Sequence, residues 1–254
     1  MAHRVPEGPP PPPVVQRVRM RYAKRGRLRF TSHRDFARAF ERALRRAQVP
    51  MGYSAGFSPH PKISYVGAAP TGVASEAEYL EIGLAREVDI EALRAALDAA
   101  LPDGLDIVEA VPAGPGSLPA RMHASAWRIE LPGVDAQTAT AAVAAFLACE
   151  ELPVQRATKD GQRTIDARSP VLSAVVSGIA AEADQTARAI LDLVVRQVTP
   201  AVRPDDVLAA LRAVAGLAPD SPPVAVRVAQ GPLDDSGAVG DPLAADRITA
   251  ETLS

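Results

Sequence analysis

The segment RGRLRFTSHRDFARAFERALRRAQVP, residues 25–50, sets one histidine and neighbouring hydroxyls among eight arginines. Ser32 precedes Asp35 by three positions, the spacing of a capping box, which predicts a helix opening here and running to about Ala47 ahead of Pro50. Each helical residue advances by about 100°, so Arg34, Arg38, Arg42 and Arg45 fall on one stripe. Phe36, Phe40, Leu44 and Ala47 fall on the opposite one. Guanidiniums in successive turns repel one another, and only Glu41 stands close enough to offset them. An external polyanion would supply the missing charge. The competing readings are a solvated helix face, or neutralisation by acidic groups elsewhere in the chain.

His33 sits at the start of this helix, beside Thr31, Ser32 and Arg34. A histidine there is a candidate acid or base for cleavage at an RNA 2′-OH, with arginines stabilising charge on phosphorus. No partner base stands at an identifiable spacing, so a phosphate or backbone contact without chemistry is the alternative. A second dense stretch, VPMGYSAGFSPHPKISYV (residues 49–66), reads as a stiff, hydroxyl-rich loop that presents Ser58, His60 and Lys62 to an anion. Walker-type and G-x-G-x-x-G spacings are lacking, which leaves nucleotide hydrolysis and dinucleotide binding without support. RNA leads among anionic partners, because guanidiniums both bond phosphates and stack on bases. Tyr22, Phe30, Tyr53, Phe57 and Tyr65 are further candidate stacking surfaces. The anion-binding set is therefore Arg27, Arg29, Ser32, His33, Arg34, Arg38, Arg42, Arg45, Ser58, His60 and Lys62.

The net charge of −2 conceals a division along the chain. Residues 15–62 hold thirteen of the 28 basic side chains and two of the 30 acidic ones, a balance of +11 that leaves −13 for the remainder. Arg17, Arg19, Arg21, Lys24 and Arg25 are expected to extend the cationic surface. One cysteine, Cys149, excludes an internal disulfide framework, and four scattered histidines show no ligand spacing, so neither cofactor nor structural metal is expected. The proline-rich start MAHRVPEGPPPPPVV is no signal peptide and no apolar run is long enough to span a bilayer, which predicts a cytoplasmic protein without membrane contact.

The elements that must position these residues follow from periodicity. VVQRVRMRYA alternates as a strand, KISYV and AEYLEIGLA read as strands, Asp89 caps a second helix, and LDIVEAV closes as a strand. The second half repeats the pattern more loosely, with a hairpin around Lys159–Asp160–Gly161 and an ambiguous segment at 169–183. The expectation is an α+β protein of two tandem ferredoxin-like (βαββαβ) domains, 14–111 and 122–230. A linker at 112–121 joins them, between a disordered leader (1–13) and a disordered acidic tail (231–254).

Residues 24–82, particularly LRFTSHRD, GFSPHPKIS and SEAEYLEI, resemble the bacterial radical SAM-linked protein family, a domain of unknown function. The similarity extends more loosely to about residue 229 through ALPDGLDIVEA and KDGQRTIDAR. It implies a helper for a modification reaction, with a radical SAM enzyme or ribonuclease E/G as partner. The chain has no C-x-x-x-C-x-x-C cluster of its own to hold an iron–sulfur centre. The expected layout is also similar to that of CRISPR repeat-processing endoribonucleases, an analogy of fold that assigns no function. Three functions are expected in order: an RNA-binding accessory factor acting on ribosomal or transfer RNA, with no DNA; a module docking on a radical SAM enzyme; and a metal-independent endoribonuclease using His33.

Overall fold

In β1 (Gln16–Lys24), Val18, Met20 and Tyr22 turn to one side and are buried by it. The computed structural model describes residues 11–159, 161–179 and 188–253, which divide into two compact units. The first takes in the chain up to Ala120 and returns for residues 242–254; the second is Arg121–Asp241.

In the first unit β1 leads through a short 3-10 turn (Gly26–Phe30) to α1 (His33–Arg46), then β2 (Ile63–Val66), β3 (Ala74–Leu84), α2 (Ile90–Ala100) and β4 (Leu105–Pro112). The strands pair antiparallel in the order β4-β1-β3, with β2 also on β3. The helices bury Phe36, Phe40, Leu44, Leu93 and Leu97 against Val18, Met20, Leu80, Ile82 and Ile107 of the strands. Tyr22 stacks parallel on Phe36, with ring centroids 4.1 Å apart. Trimming a side chain such as the fully buried Phe40 to alanine costs about 3–5 kcal/mol. A last helix, α5 (Ala244–Leu253), lies against β4.

The second unit runs β5 (Ala124–Pro132), α3 (Ala136–Leu147), β6 (Pro153–Thr158), β7 (Gly161–Asp166), β8 (Val171–Ile179), β9 (Arg188–Arg196), α4 (Pro204–Ala215) and β10 (Val224–Gly231). Its antiparallel order is β10-β5-β9-β8, while β6 and β7 bond only to each other as a separate two-stranded sheet. Asp135 caps α3 by accepting from the Thr138 N–H at 2.8 Å. Arg156 on β6 pairs with the buried Asp206 of α4, which ties the hairpin to that helix.

The expectation of two tandem ferredoxin-like domains is overturned. The fold is α+β with five helices and ten strands among the described residues, four strands in the sheet of the first unit, four in that of the second and two in their own hairpin. The physical reasons are twofold. The β6–β7 hairpin intervenes between α3 and β8, and the chain continues past β10 to α5, which makes the first unit discontinuous. Sequence alternation locates strands well but does not say which strand each one bonds. The ambiguous 169–183 segment contains β8, its last residues lying outside the described set, as do Asp160 of the hairpin turn and residues 1–10 of the leader. The tail expected to be disordered contains α5, preceded by the fully buried Leu243.

Candidate functional site

Helix α1 starts where Ser32 Oγ accepts from the Asp35 N–H at 3.2 Å and donates to Asp35 Oδ2 at 2.6 Å. Its core face is set by Phe36, Phe40, Ala43 and Leu44, all buried. That packing leaves Arg34, Arg38, Arg42 and Arg45 exposed. Arg38 approaches Asp35 at 3.9 Å, and Arg34, Arg42 and Arg45 form no ion pair among the described residues. Ahead of the helix Arg27 is exposed, and the Arg29 guanidinium lies 4.8 Å from the centre of the exposed Phe30 ring.

The strand arginines behave differently. The β1–β3 register sets Arg19 opposite Glu81, which bonds both Arg17 and Arg19 at 2.9 Å, and Arg21 reaches Glu109 of β4 at 3.6 Å. Arg19 is 2% exposed and also bonds Asp246 of α5 at 2.7 Å. Arg25 is clamped by Glu76, then by Asp106 at 2.7 Å, and both hold its guanidinium more firmly charged than usual. Lys24 is buried and donates to Pro70 O at 3.2 Å. These residues were expected to extend the cationic surface; burial takes Arg19 and Lys24 off it, and carboxylates pair with Arg17, Arg21 and Arg25 where they remain accessible. The exposed charge that remains is concentrated on the helix.

After α1 the chain makes a loop laid along β3. Gly52 donates to Gly83 O at 2.7 Å, and a Cβ at position 52 would stand only 2.9 Å from Val14 Cγ2, so glycine lets the backbones approach. The loop is pinched where the Ser54 N–H donates to His60 O at 2.9 Å and the His60 N–H donates to Ser54 Oγ at 3.0 Å. Ser58, His60 and Lys62 are all exposed, as are Tyr53 and Phe57. Of the five aromatics read as stacking surfaces, Phe30, Tyr53 and Phe57 are thus accessible. Tyr22 belongs to the core, and Tyr65 is half-buried against α1.

Between the end of α1 and this loop lies a cavity of about 450 Å³. Glu41 and Arg45 line it from the helix, Gln48 from just past its end, Tyr53 and His60 from the loop, and Leu44 and Met51 are among its apolar residues. It brings Arg45 and His60 of the predicted set together. His33 stands twelve residues before Arg45, about 18 Å along the helix axis, and its ring meets Tyr65 edge-on at 4.9 Å. The Tyr65 hydroxyl is buried without a hydrogen-bond partner among the described residues. Burial first, and the negative charge of Glu41 second, push its ionisation well above the ordinary tyrosine range. Glu41 and Gln48 as cavity residues escaped the sequence reading; the available signal was a lone carboxylate within an arginine stripe.

Glu76 and Glu81 pair with arginines, whereas Glu78 is buried and accepts from the Ala69 N–H at 3.1 Å. In the second unit the Cys149 thiol contacts Ala145 O at 3.5 Å. Among the described residues no three His, Cys, Asp or Glu side chains gather as metal ligands. No helix among them is long and apolar enough to cross a membrane.

Comparison with known proteins locates the chain by sequence. Residues 17–204 match a family described as "Uncharacterized protein conserved in bacteria (DUF2344)". No curated protein matches. A crystal structure of an unknown protein from Galdieria sulphuraria is similar at 15% identity and a TM-score of 0.23, covering 78% of this chain and 91% of that one.

Proposed function

The chain belongs to the bacterial family of uncharacterized proteins DUF2344, and from its own surface we propose an RNA-binding accessory factor in the modification or processing of ribosomal or transfer RNA. The observation that carries this reading is the contrast between two sets of arginines in one unit. Those on β1 are met by carboxylates, whereas Arg34, Arg42 and Arg45 on α1 have no ion pair among the described residues. Uncompensated guanidiniums on successive turns raise the local potential, and a polyanion lowers it. Exposed Phe30, Tyr53 and Phe57, on the segments flanking the helix, suit unstacked bases, which favours single-stranded RNA.

On this reading Arg27, Arg29, Arg34, Arg38, Arg42 and Arg45 contact phosphates or stack, and Ser58, His60 and Lys62 contribute from the loop. Ser32 serves as the helix cap, and the edge-on contact of His33 with Tyr65 favours a positioning role over chemistry. A radical SAM enzyme or ribonuclease E/G as partner belongs to the same proposal, as the agent that acts on the bound RNA.

The test is titration of the purified protein with ribosomal and transfer RNA fragments at several salt concentrations. Log affinity should fall against log salt by about 0.7 per single-strand phosphate contact. The combined variant R38E/R42E/R45E should lose binding while retaining its circular dichroism. Undiminished binding by that variant would remove this surface from consideration. No RNA binding at low salt, together with co-purification of a radical SAM enzyme that survives nuclease, would assign the arginines to a protein partner.

A further inference from the structure

The cavity at the end of α1 has a composition that neither the arginine stripe nor the fold requires. Glu41 is its one carboxylate, half-buried, and it makes no hydrogen bond or ion pair among the described residues even though arginines flank it on the helix. A carboxylate left open between cations repels phosphate, so a site built only for the RNA backbone gains nothing from it. Two acceptor oxygens side by side match a ligand edge that carries two adjacent N–H donors.

Gln48, another polar residue on the lining, immediately follows the helix C-cap Ala47 and has φ of 51°, a left-handed conformation. Glycine or asparagine serves that position at lower cost, and for other residues such backbone conformations are retained where the surroundings impose them. Here the conformation accompanies an amide on the cavity wall. Leu44 and Met51 supply apolar surface, Tyr53 and His60 supply rings, and about 450 Å³ falls within the range of pockets for small ligands.

We infer that this cavity is a nucleobase pocket that takes an unstacked guanine from single-stranded RNA, an inference that rests on the RNA-binding reading above. Among the four bases guanine alone presents two neighbouring donors, N1–H and the exocyclic N2–H, on its Watson–Crick edge. Glu41 accepts from both, Arg45 on the same rim meets O6 or the adjoining phosphate, and the ring lies against Tyr53 or His60. The arginine stripe then carries the strand past the pocket, supplying affinity while the pocket supplies sequence preference.

The experiment compares short fluorescent oligouridylates, either unmodified or carrying one central guanosine, adenosine or cytidine, by anisotropy at fixed salt. The guanosine oligomer should bind roughly tenfold more tightly than the others. E41Q should bring it down to the level of oligouridylate. Equal binding of all four oligomers by the wild type, or a preference that survives in E41Q, overturns the pocket and leaves the RNA surface standing. If the wild type binds no oligomer at low salt, the pocket and the RNA-binding reading fall together.

Discussion

The Tyr65 ring packs edge-on against His33 and Phe36, while its hydroxyl is shut away from solvent without a partner among the described residues. An unmet buried hydroxyl costs stability, so Y65F should be at least as stable as wild type at neutral pH, checked by urea unfolding. Burial raises the folded-state ionisation above the unfolded value near 10, with Glu41 adding to the effect. The stabilisation of the neutral phenol is therefore complete below about pH 10 and is lost as pH climbs towards the raised folded value. Wild type should lose stability between neutral pH and about pH 11 through this group, and Y65F should be spared that share of the loss. Lower stability of Y65F at neutral pH would mean that the hydroxyl has a partner after all. Residue-level readings succeeded where the partner was local. Ser32 and Asp35 sit three positions apart, and the Ser32 hydroxyl accepts from the Asp35 N–H, whereas the setting of Tyr65 comes from its contacts with His33 and Phe36 of α1 and left no trace in its neighbours.

Helix α1 was legible as an element because its two faces differ in chemistry as well as in period: phenylalanines on one side, arginines on the other. Its start depends on Ser32, and S32A should lower stability by about 1 kcal/mol in urea unfolding, the usual value of a lost cap. A variant as stable as wild type would show that Asp35 and water satisfy the first turn without the hydroxyl. The stripe also predicts a contrast between elements. R38E/R42E/R45E should abolish RNA binding, while R17E on β1 should weaken it less than about twofold, because Arg17 is already paired with Glu81. Equal losses would place the RNA across the strand as well as the helix. Sequence counted the β1 arginines with those of α1, since charge density is visible in a chain but the carboxylate across a ladder is not.

At the scale of the molecule, the C-terminal segment joins the first unit through a buried ion pair. Arg19 and Asp246 meet at 2.7 Å with 2% and 0% exposure, and Asp246 also accepts from the Gly114 N–H at 2.9 Å. D246A would leave the buried Arg19 with the Glu81 carboxylate that it shares with Arg17, and should cost about 3–5 kcal/mol, read as a lower urea midpoint. A loss under about 1 kcal/mol would show that Glu81 alone holds Arg19. Sequence by itself determined where most helices and strands form, α5 and β8 excepted, from periods of 3.6 and 2, from caps and from Pro and Gly breaks, since these depend on neighbours a few positions apart. It also determined that positive charge gathers in residues 15–62. Only the tertiary structure decided that β6 and β7 bond to each other alone and that α5 returns to complete the first unit. It also separated the arginines into strand residues that are matched and helix residues that are open. Strand partners, long-range ion pairs and cavities depend on contacts between residues distant in the chain, and composition and local spacing carry no record of them.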